Sequence, residues 1–553
     1  MPVWYTPGLF SDMQALTTTS VPTAPAYNWA GMLLPSLTDF FFGALLIWLF
    51  VGVGGVSLLS DGDTGWHIRT GDYILEHHTV PQKDIFTFTR PNEPWFAWEW
   101  LCDVLFARIH QAWGLKGIVL LAGILLCLTA TILFCHMLWS GGNLFLSLVA
   151  AVLANGASSV HFLARPHVFT FFLLALSMWL LARDRRRPDR VVWLLAPVTA
   201  VWVNLHGGFL ALIACLGLTA AGYGLQWLFS RGGEDWFFLR RYSILTAVCS
   251  LATLVNPYGY RLHAHIAAYL RSSFVMDAVQ EFQSPTFRGE RMFQFEILLF
   301  AGLAMAGVLL TKARFVDALL ILFWAQAALT SVRHVPIFAI VAAPILVAQL
   351  SRVWNDWAQD KARNSVVGIL RDLGNEFAGK SLRATIWAPV MVFGLSMSMS
   401  AAKGDTWPDE FPKVKFPVAL VTQYSAKIAP VSGPMPRIFT SDEWGDYLTY
   451  RFYPRIRIFV DGRSDLLGPA LGKEYVQMAR GGHEWEQLLN RYGIEMAIVP
   501  VEWPLAELLK RNAGWRLVKD DGLSILFERR APVLMKSEVS AERSNSITRY
   551  SLP

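Results

Sequence analysis

The chain has 553 residues, of which 54% are hydrophobic and 16% are charged, whereas charged residues make up about 25% of ordinary soluble domains. This composition excludes a typical soluble enzyme. Residues 1–400 contain 27 Lys and Arg and 23 Asp and Glu, and residues 401–553 contain 21 and 19, so the charge density roughly doubles in the shorter part. We therefore predict a polytopic α-helical membrane protein with a C-terminal soluble α/β domain.

The formal net charge of +6 does not indicate a nucleic-acid partner, because no basic run is interleaved with aromatic residues. The five cysteines all lie in or beside apolar stretches of the first 250 residues. Neither a disulfide framework nor a Cys-x-x-Cys metal site is expected from this distribution.

About eleven apolar segments are predicted to be membrane spans. They cover approximately residues 40–60, 116–137, 142–160, 166–183, 191–206, 207–229, 242–256, 295–311, 315–331, 335–351 and 385–400. We divide the chain into a flexible N-terminal segment at 1–37, a transmembrane domain at 38–400 with a first outer loop at 61–115, an extracytoplasmic domain at 401–530, and a disordered tail at 531–553.

The basic segment 183–190 predicts a cytoplasmic loop, because short cytoplasmic loops are enriched in Lys and Arg. In the cell (inner) membrane, the N-terminus is then cytoplasmic and the C-terminal domain is extracytoplasmic. All histidines except His136 fall on the outer side. Ionisable groups that gather on one face of a bundle indicate a functional site, although histidine is also tolerated at a membrane interface.

The most informative stretch follows the first span and contains Asp61, Asp63, His67 and Arg69. A carboxylate at the membrane boundary is costly unless a cation, a metal or a substrate donor pairs with it. An EF-hand loop is excluded, because Gly65 occupies the third ligand position. The alternative to a site is a helix cap, with one of the two aspartates at the start of the next helix.

Four other turns on the predicted outer face combine a cation or a hydrogen-bond donor with Pro or Gly. They contain Arg165 and His167; His206; Asn256, Tyr258 and His263; and Arg333 and His334. Each turn alone is typical of a helix end. Together they place Arg and His near the aspartates, where these side chains suit the binding of a phosphate.

Alternating patterns in the C-terminal domain predict an α/β layer. We predict strands at 437–440, 455–460, 495–500, 515–519 and 523–528, and helices at 441–452, 472–480, 484–492 and 504–512. Asp461 and Arg463 follow the second of these strands, at the edge where α/β sheets usually bind ligands. They indicate either a ligand site at this edge or a local ion pair in the turn, and the ion pair is slightly favoured. A nucleotide site is not expected there, because no glycine-rich phosphate loop accompanies the turn.

The run Asp61-x-Asp63-x-x-Trp66-His67-x-x-x-Gly71, the bundle of about eleven helices, the later Asn-x-His-Gly-Gly and Asn-Pro-Tyr-Gly turns and the terminal α/β domain together resemble the GT-C superfamily of integral membrane glycosyltransferases. In particular, the chain resembles bacterial members related to protein O-mannosyltransferases and lipid A aminoarabinose transferases. It departs from the mannosyltransferase pattern, because Asp-Gly-Asp stands in place of an adjacent Asp-Glu pair.

The resemblance implies transfer of a sugar from a polyprenyl-phosphate donor to a glycan, lipid or protein acceptor on the extracytoplasmic face. Asp61 or Asp63 would be the general base. The candidate substrate-binding residues are His67, Arg69, Arg165, His167, His206, Asn256, Tyr258, His263, Arg333 and His334. Some relatives use a divalent metal, so Asp61 and Asp63 are also the candidate ligands for Mg²⁺ or Mn²⁺. The alternative functions are a lipid or polysaccharide transporter or flippase, and a non-catalytic assembly protein for envelope polysaccharide.

Overall fold

The computed structural model describes residues 29–289, 292–401 and 404–530. Most of the predicted N-terminal segment and all of the predicted tail at 531–553 lie outside these ranges. Within them, the chain is a polytopic helical membrane protein with a C-terminal domain that contains a small sheet. The helices up to residue 401 are α1 Trp29–Met32, α2 Leu37–Ile47, α3 Asp63–His77, α4 Trp100–Trp139, α5 Leu144–Ser158, α6 His167–Arg186, α7 Leu195–Trp202, α8 Phe209–Ser230, α9 Gly233–Ala252, α10 Tyr260–Leu270, α11 Ser273–Ala278, α12 Met292–Thr311, α13 Phe315–Thr330, α14 Val335–Gln359, α15 Val366–Ser381 and α16 Trp387–Ala401.

Seven helical segments of the described residues are long and apolar enough to cross a membrane. They are Leu37–Leu59, Trp100–Trp139, Leu144–His161, His167–Arg186, Phe209–Ser230, Met292–Thr311 and Val332–Gln359. Three further predicted spans form shorter apolar helices, at Val191–Trp202, Phe315–Thr330 and Trp387–Ser400. The remaining predicted span, 242–256, overlaps the end of α9, whose first turns carry acidic and basic side chains.

Helix α4 joins the first outer loop to the membrane. Its 40 residues contain a break at Gly114, where φ is 63° and ψ is −158°. This positive φ favours glycine, because other side chains rarely adopt it. The break separates an outer segment, 100–113, from the apolar segment that crosses the bundle, and it gives the outer segment its own direction.

The C-terminal domain is built around a four-stranded sheet in the order β1-β2-β4-β3. Its strands are β1 Ile438–Thr440, β2 Met496–Pro500, β3 Trp515–Asp520 and β4 Ser524–Arg529, and its helices are α17 Val418–Gln423, α18 Ser425–Ile428, α19 Asp442–Phe452, α20 Ser464–Ala479, α21 Trp485–Arg491 and α22 Pro504–Arg511. Strands β1 and β2 are parallel, and the other two pairs are antiparallel. Four of the five predicted strands are thus present.

The predicted strand at 455–460 is wrong. This segment forms only isolated bridges, through Ile458. Its backbone bonds run to the first outer loop, because Ile458 N–H donates to the Phe86 carbonyl and Phe88 N–H donates to the Ile458 carbonyl. The segment has the apolar pattern of a strand, but its backbone pairs with the first outer loop and so attaches the membrane domain to the soluble domain.

A buried arginine reinforces the same junction. The Arg463 guanidinium contacts Asp461 at 2.5 Å and Asp84 of the outer loop at 2.6 Å. Its guanidinium carbon also lies over the rings of Phe86 and Trp95, at 4.8 and 4.4 Å from their centroids. The predicted Asp461–Arg463 pair is therefore confirmed, and the structure adds a third charge from another domain.

Replacing Arg463 by Met is expected to loosen this junction, because two buried carboxylates would lose their cation. Breaking a buried ion pair from one side costs about 3–5 kcal/mol. We expect faster proteolysis of the segment between α16 and α17 in the detergent-solubilised full-length protein. Arg457→Met, which removes an exposed arginine from the same segment, is the control, and equal cleavage rates for both variants would contradict the prediction.

Candidate active site

The two predicted aspartates lie at the start of α3, directly after the first span. The Asp61 carboxylate accepts a hydrogen bond from the Asp63 backbone N–H at 2.9 Å, so Asp61 closes the turn that begins the helix. Farther along α3, a Cβ on Gly71 would lie 1.9 Å from the Asp103 carbonyl of α4. The glycine of the motif thus permits the close packing that holds α3, and with it the aspartates, against the bundle.

Arg165 gathers three carboxylates. Its guanidinium lies 3.0 Å from Asp61, 2.6 Å from Asp63 and 2.5 Å from Glu281. Glu281 also pairs with Arg333 at 3.1 Å. These five residues form what we call the charge network, which joins α3, the turn before α6, the loop before α12 and the turn before α14.

Four members of the charge network were predicted from the sequence, and Glu281 was not. Glu281 lies in a 3-10 turn at Gln280–Phe282, in a loop without a recognisable motif. The only available signal was an acidic residue in a predicted outer loop. Its role comes from tertiary contacts, because it lies between two arginines that are far apart in the sequence.

Burial sets the protonation of the carboxylates in the network. It raises the pKa of Asp63 to about 7, with further raising by the Asp61 and Glu281 charges and partial lowering by Arg165. Burial also disfavours ionised Glu281, but Arg165 and Arg333 outweigh it and hold the pKa of Glu281 below its usual range. Glu281 is therefore ionised at neutral pH, while Asp63 is close to its titration midpoint.

The soluble domain covers Asp63 with a glycine and a second aspartate. A Cβ on Gly462 would lie 2.1 Å from Asp63 Oδ1 and 2.7 Å from Asp446 Oδ2, so only glycine fits between the carboxylates. Asp446 Oδ1 accepts the Gly462 N–H at 2.9 Å, and its buried Oδ2 has no hydrogen-bond partner among the described residues. Burial and the Asp63 charge raise the pKa of Asp446, which favours a protonated Asp446 facing an ionised Asp63.

A second cluster of titratable groups surrounds Glu99. The Glu99 carboxyl oxygens lie 3.6 Å from His67 Nε2 and 3.5 Å from His206 Nε2. His67 is oriented by a 2.6 Å contact between its Nδ1 and the buried Asp103. The two predicted histidines therefore converge on a glutamate that the sequence reasoning did not select.

The protons in this cluster follow from its hydrogen bonds. His206 Nδ1 accepts the Gly208 N–H at 3.0 Å and lies 2.8 Å from the Thr170 hydroxyl, so the ring proton of His206 belongs on Nε2. Burial raises the pKa of Glu99 to about 8 and lowers the pKa of His206 to about 3. At neutral pH the cluster is mostly uncharged and offers both donors and acceptors.

The other predicted binding residues have structural partners. Arg69 donates to the Tyr450 carbonyl and to Asp72, which links α3 to the soluble domain. His167 Nε2 lies 2.7 Å from the His161 carbonyl, and its ring centroid is 6.4 Å from that of His206. It therefore borders the Glu99 cluster without contacting Glu99 through a hydrogen bond.

Four further candidates stabilise turns or contact helix backbones. Asn256 bonds to backbone groups of its own turn, and the Tyr258 hydroxyl donates to the Pro81 carbonyl at 3.4 Å. His263 contacts the Thr253 hydroxyl, and His334 contacts the Ala327 carbonyl. The structure does not bring these side chains into the charge network, because local polar groups already engage them.

The candidate metal ligands, Asp61 and Asp63, are both paired with Arg165. Among the described residues, no group of three or more His, Cys, Asp or Glu side chains is placed to hold a metal ion. The guanidinium takes the position between the carboxylates that a cation would need. In this arrangement Arg165 pairs with both carboxylates, and the metal assignment to Asp61 and Asp63 stays a prediction.

Glu99→Gln is expected to flatten the pH dependence of stability. The pKa of Glu99 is about 8 in the folded protein and near 4.5 ordinarily, so folding takes up a proton between these values. The contribution of Glu99 to the stability of the wild type is therefore largest below pH 4.5 and falls as the pH rises to 8. We expect Glu99→Gln to raise the Tm more at pH 8.5 than at pH 5. Exposed Glu93→Gln is the control, and an equal effect of Glu99→Gln at both pH values would refute the assignment.

No family model matches the chain, and no curated protein matches it. Among similar solved structures is the archaeal oligosaccharyltransferase AglB from Archaeoglobus fulgidus in complex with an inhibitory peptide and a dolichol-phosphate, with 12% identity, coverage of 84% of this chain and 69% of that chain, and a TM-score of 0.52. Another is the Archaeoglobus fulgidus oligosaccharyltransferase tethered to an acceptor peptide. It has 12% identity, coverage of 89% of this chain and 74% of that chain, and a TM-score of 0.48. A third is ArnT from Cupriavidus metallidurans bound to undecaprenyl phosphate, with 15% identity, 88% and 97% coverage, and a TM-score of 0.45. The predicted resemblance is confirmed at the level of the fold, and the chain has the fold of the GT-C glycosyltransferases.

Proposed function

We propose that this protein is a membrane glycosyltransferase that moves a sugar from a polyprenyl-phosphate donor to an acceptor, with Asp63 as the general base. The fold supports the proposal, because it is shared with an oligosaccharyltransferase that was solved with a dolichol-phosphate. The observation that carries it is the charge network: Asp63, a carboxylate whose pKa is about 7, lies 2.6 Å from Arg165, and Arg333 joins the same network through Glu281. We place the reaction on the predicted extracytoplasmic face.

Asp63 suits the role of base better than Asp61. A general base is most effective when its pKa lies near the working pH, and the pKa of Asp63 is about 7. Asp61 uses one oxygen to accept the Asp63 N–H and the other to contact Arg165. Asp61 therefore positions the start of α3 and contributes a charge that keeps Asp63 basic.

The reaction balances within the network. Asp63 takes the proton of the acceptor hydroxyl, the acceptor oxygen forms a bond to the anomeric carbon, and the bond from that carbon to the phosphate oxygen breaks. The electron pair of the broken bond leaves with the phosphate. Protonation of Asp63 leaves Asp61 and Glu281 as the ionised partners of Arg165, so one of the three carboxylates no longer competes with the leaving phosphate for the charges of Arg165 and Arg333.

The Glu99 cluster suits the sugar itself. A protonated Glu99 and neutral His67 and His206 present hydrogen-bond donors and acceptors without a fixed charge. Such groups match sugar hydroxyls, which both donate and accept. We assign His67, Glu99 and His206 to binding of the transferred sugar.

The position of the charges favours transfer over transport. Arg165 precedes α6, and Arg333 lies in the turn that leads into α14. Transporters are expected to hold their substrates near the middle of the membrane, often between inverted repeats. The charge network lies instead at one end of the bundle, in contact with the soluble domain.

Asp63→Asn is expected to abolish transfer, and Asp61→Asn is expected to retain it. Loss of a general base costs about 10²–10⁴-fold in rate. The acid limb of the rate profile should move to lower pH in Asp61→Asn, because removal of that negative charge lowers the pKa of Asp63. The measurement is release of undecaprenyl phosphate from a panel of undecaprenyl-phosphate sugars by the purified protein.

Asp72→Asn is the matched control, since Asp72 lies on the same helix and pairs with Arg69. It should leave the rate and its pH profile unchanged. Wild-type turnover in Asp63→Asn would exclude Asp63 as the base. An absence of release from every sugar of the panel by the wild type would count against this donor class.

Chelation is expected to leave the transfer unchanged, because Arg165 already neutralises Asp61 and Asp63. The rate of undecaprenyl-phosphate release should be equal before and after dialysis against EDTA, and added Mg²⁺ or Mn²⁺ should not raise it. Loss of activity on dialysis with recovery on adding one metal would show that Arg165 is displaced by a cation.

A further inference from the structure

A polar cavity lies at the end of the bundle opposite the candidate active site. It has a volume of about 260 Å³, and residues from α4, α6, α8, α13 and α14 form its walls. Helix α6 begins at His167, close to the charge network, and ends at Arg186 on this cavity. Its 20 residues span about 30 Å, so the cavity lies across the membrane from the candidate active site.

Four arginines line the cavity: Arg185, Arg186, Arg314 and Arg352. Asp317 is the one acidic residue among the lining residues, and it pairs with Arg185 at 2.8 Å and with Arg314 at 2.6 Å. The lining thus has a formal surplus of three positive charges. This surplus is not neutralised within the cavity.

Two of the arginines have only neutral partners among the described residues. Arg186 donates to the carbonyls of Trp139 and Ser140 at 3.0 and 2.8 Å. Arg352 donates to the Gln349 side chain at 3.3 Å. These bonds hold the guanidinium groups in place but supply no compensating charge. Both arginines are therefore prepared to receive an anion.

Apolar side chains form the rest of the wall. Met178, Leu181, Leu320, Val341 and Ile345 line the same cavity, and all of them belong to helices of the membrane domain. Arginine binds phosphate oxygens with two parallel hydrogen bonds. Basic pockets between transmembrane helices on the cytoplasmic side commonly bind anionic lipid headgroups.

We propose that this cavity binds a phosphate group, with Arg186 and Arg352 as its principal ligands. The apolar wall suits a phosphate that is carried by an anionic membrane lipid. The inference is independent of the proposed glycosyl transfer, because none of these residues belongs to the charge network or to the Glu99 cluster. This end of the bundle is the one that the basic loops predict to be cytoplasmic. The site would attach it to the lipids of the membrane.

The test measures the Tm of the purified full-length protein in neutral detergent against increasing dioleoylphosphatidylglycerol, dioleoylphosphatidylcholine or inorganic phosphate. We expect saturable stabilisation by phosphatidylglycerol and none by phosphatidylcholine. Arg352→Gln and Arg186→Gln should each weaken the apparent affinity about tenfold or more. Arg187→Gln is the control, since Arg187 is exposed on the same loop and does not line the cavity.

The outcomes separate the two sources of phosphate. Selective loss of the phosphatidylglycerol effect in the two cavity variants supports a lipid site. Equal stabilisation by inorganic phosphate, lost in the same variants, supports a phosphate site that does not need the lipid tail. An equal response of Arg187→Gln, Arg186→Gln and Arg352→Gln to phosphatidylglycerol would overturn the proposal, because it would show general attraction to a negative surface.

Discussion

The organisation of the bundle next to the soluble domain depends on one partly buried cation, Arg165. Carboxylates at a membrane boundary are unstable as ions unless a positive charge lies close to them. Arg165 meets this requirement for Asp61, Asp63 and Glu281 together. These acids come from separate parts of the chain. The contacts that stabilise their ionised forms therefore also determine how α3, α6 and the loop before α12 are arranged.

The soluble domain completes the environment of Asp63. Gly462 and Asp446 cover its carboxylate, and the Arg463 cluster holds the domain on the first outer loop. Removal of water by this domain contributes to the burial that brings the pKa of Asp63 to about 7. The domain is therefore part of the candidate site, and its position determines the basicity of a residue in the membrane domain.

The fold and half of the site could be predicted from the sequence, for identifiable physical reasons. Apolar segments must satisfy their backbone groups within a helix, so length and hydropathy located the spans. Asp63 and Arg165 were recognisable because charges beside such segments need partners. Glu281, Glu99 and Asp446 were not recognisable, since each acquires its role only from residues distant in sequence. Asn256 and His263 were selected because the side chains that suit ligands also suit helix ends.

The two ends of the bundle differ in their balance of positive and negative side chains. This difference agrees with the functions that we propose for them. At the end next to the soluble domain, three carboxylates face two arginines, so protonation of Asp63 during transfer brings the network from a net negative charge to a balanced one. At the other end, four arginines face one aspartate. A permanent positive surplus suits a permanent ligand such as a membrane phosphate, whereas a network that loses a negative charge only during transfer suits a leaving group that must later depart.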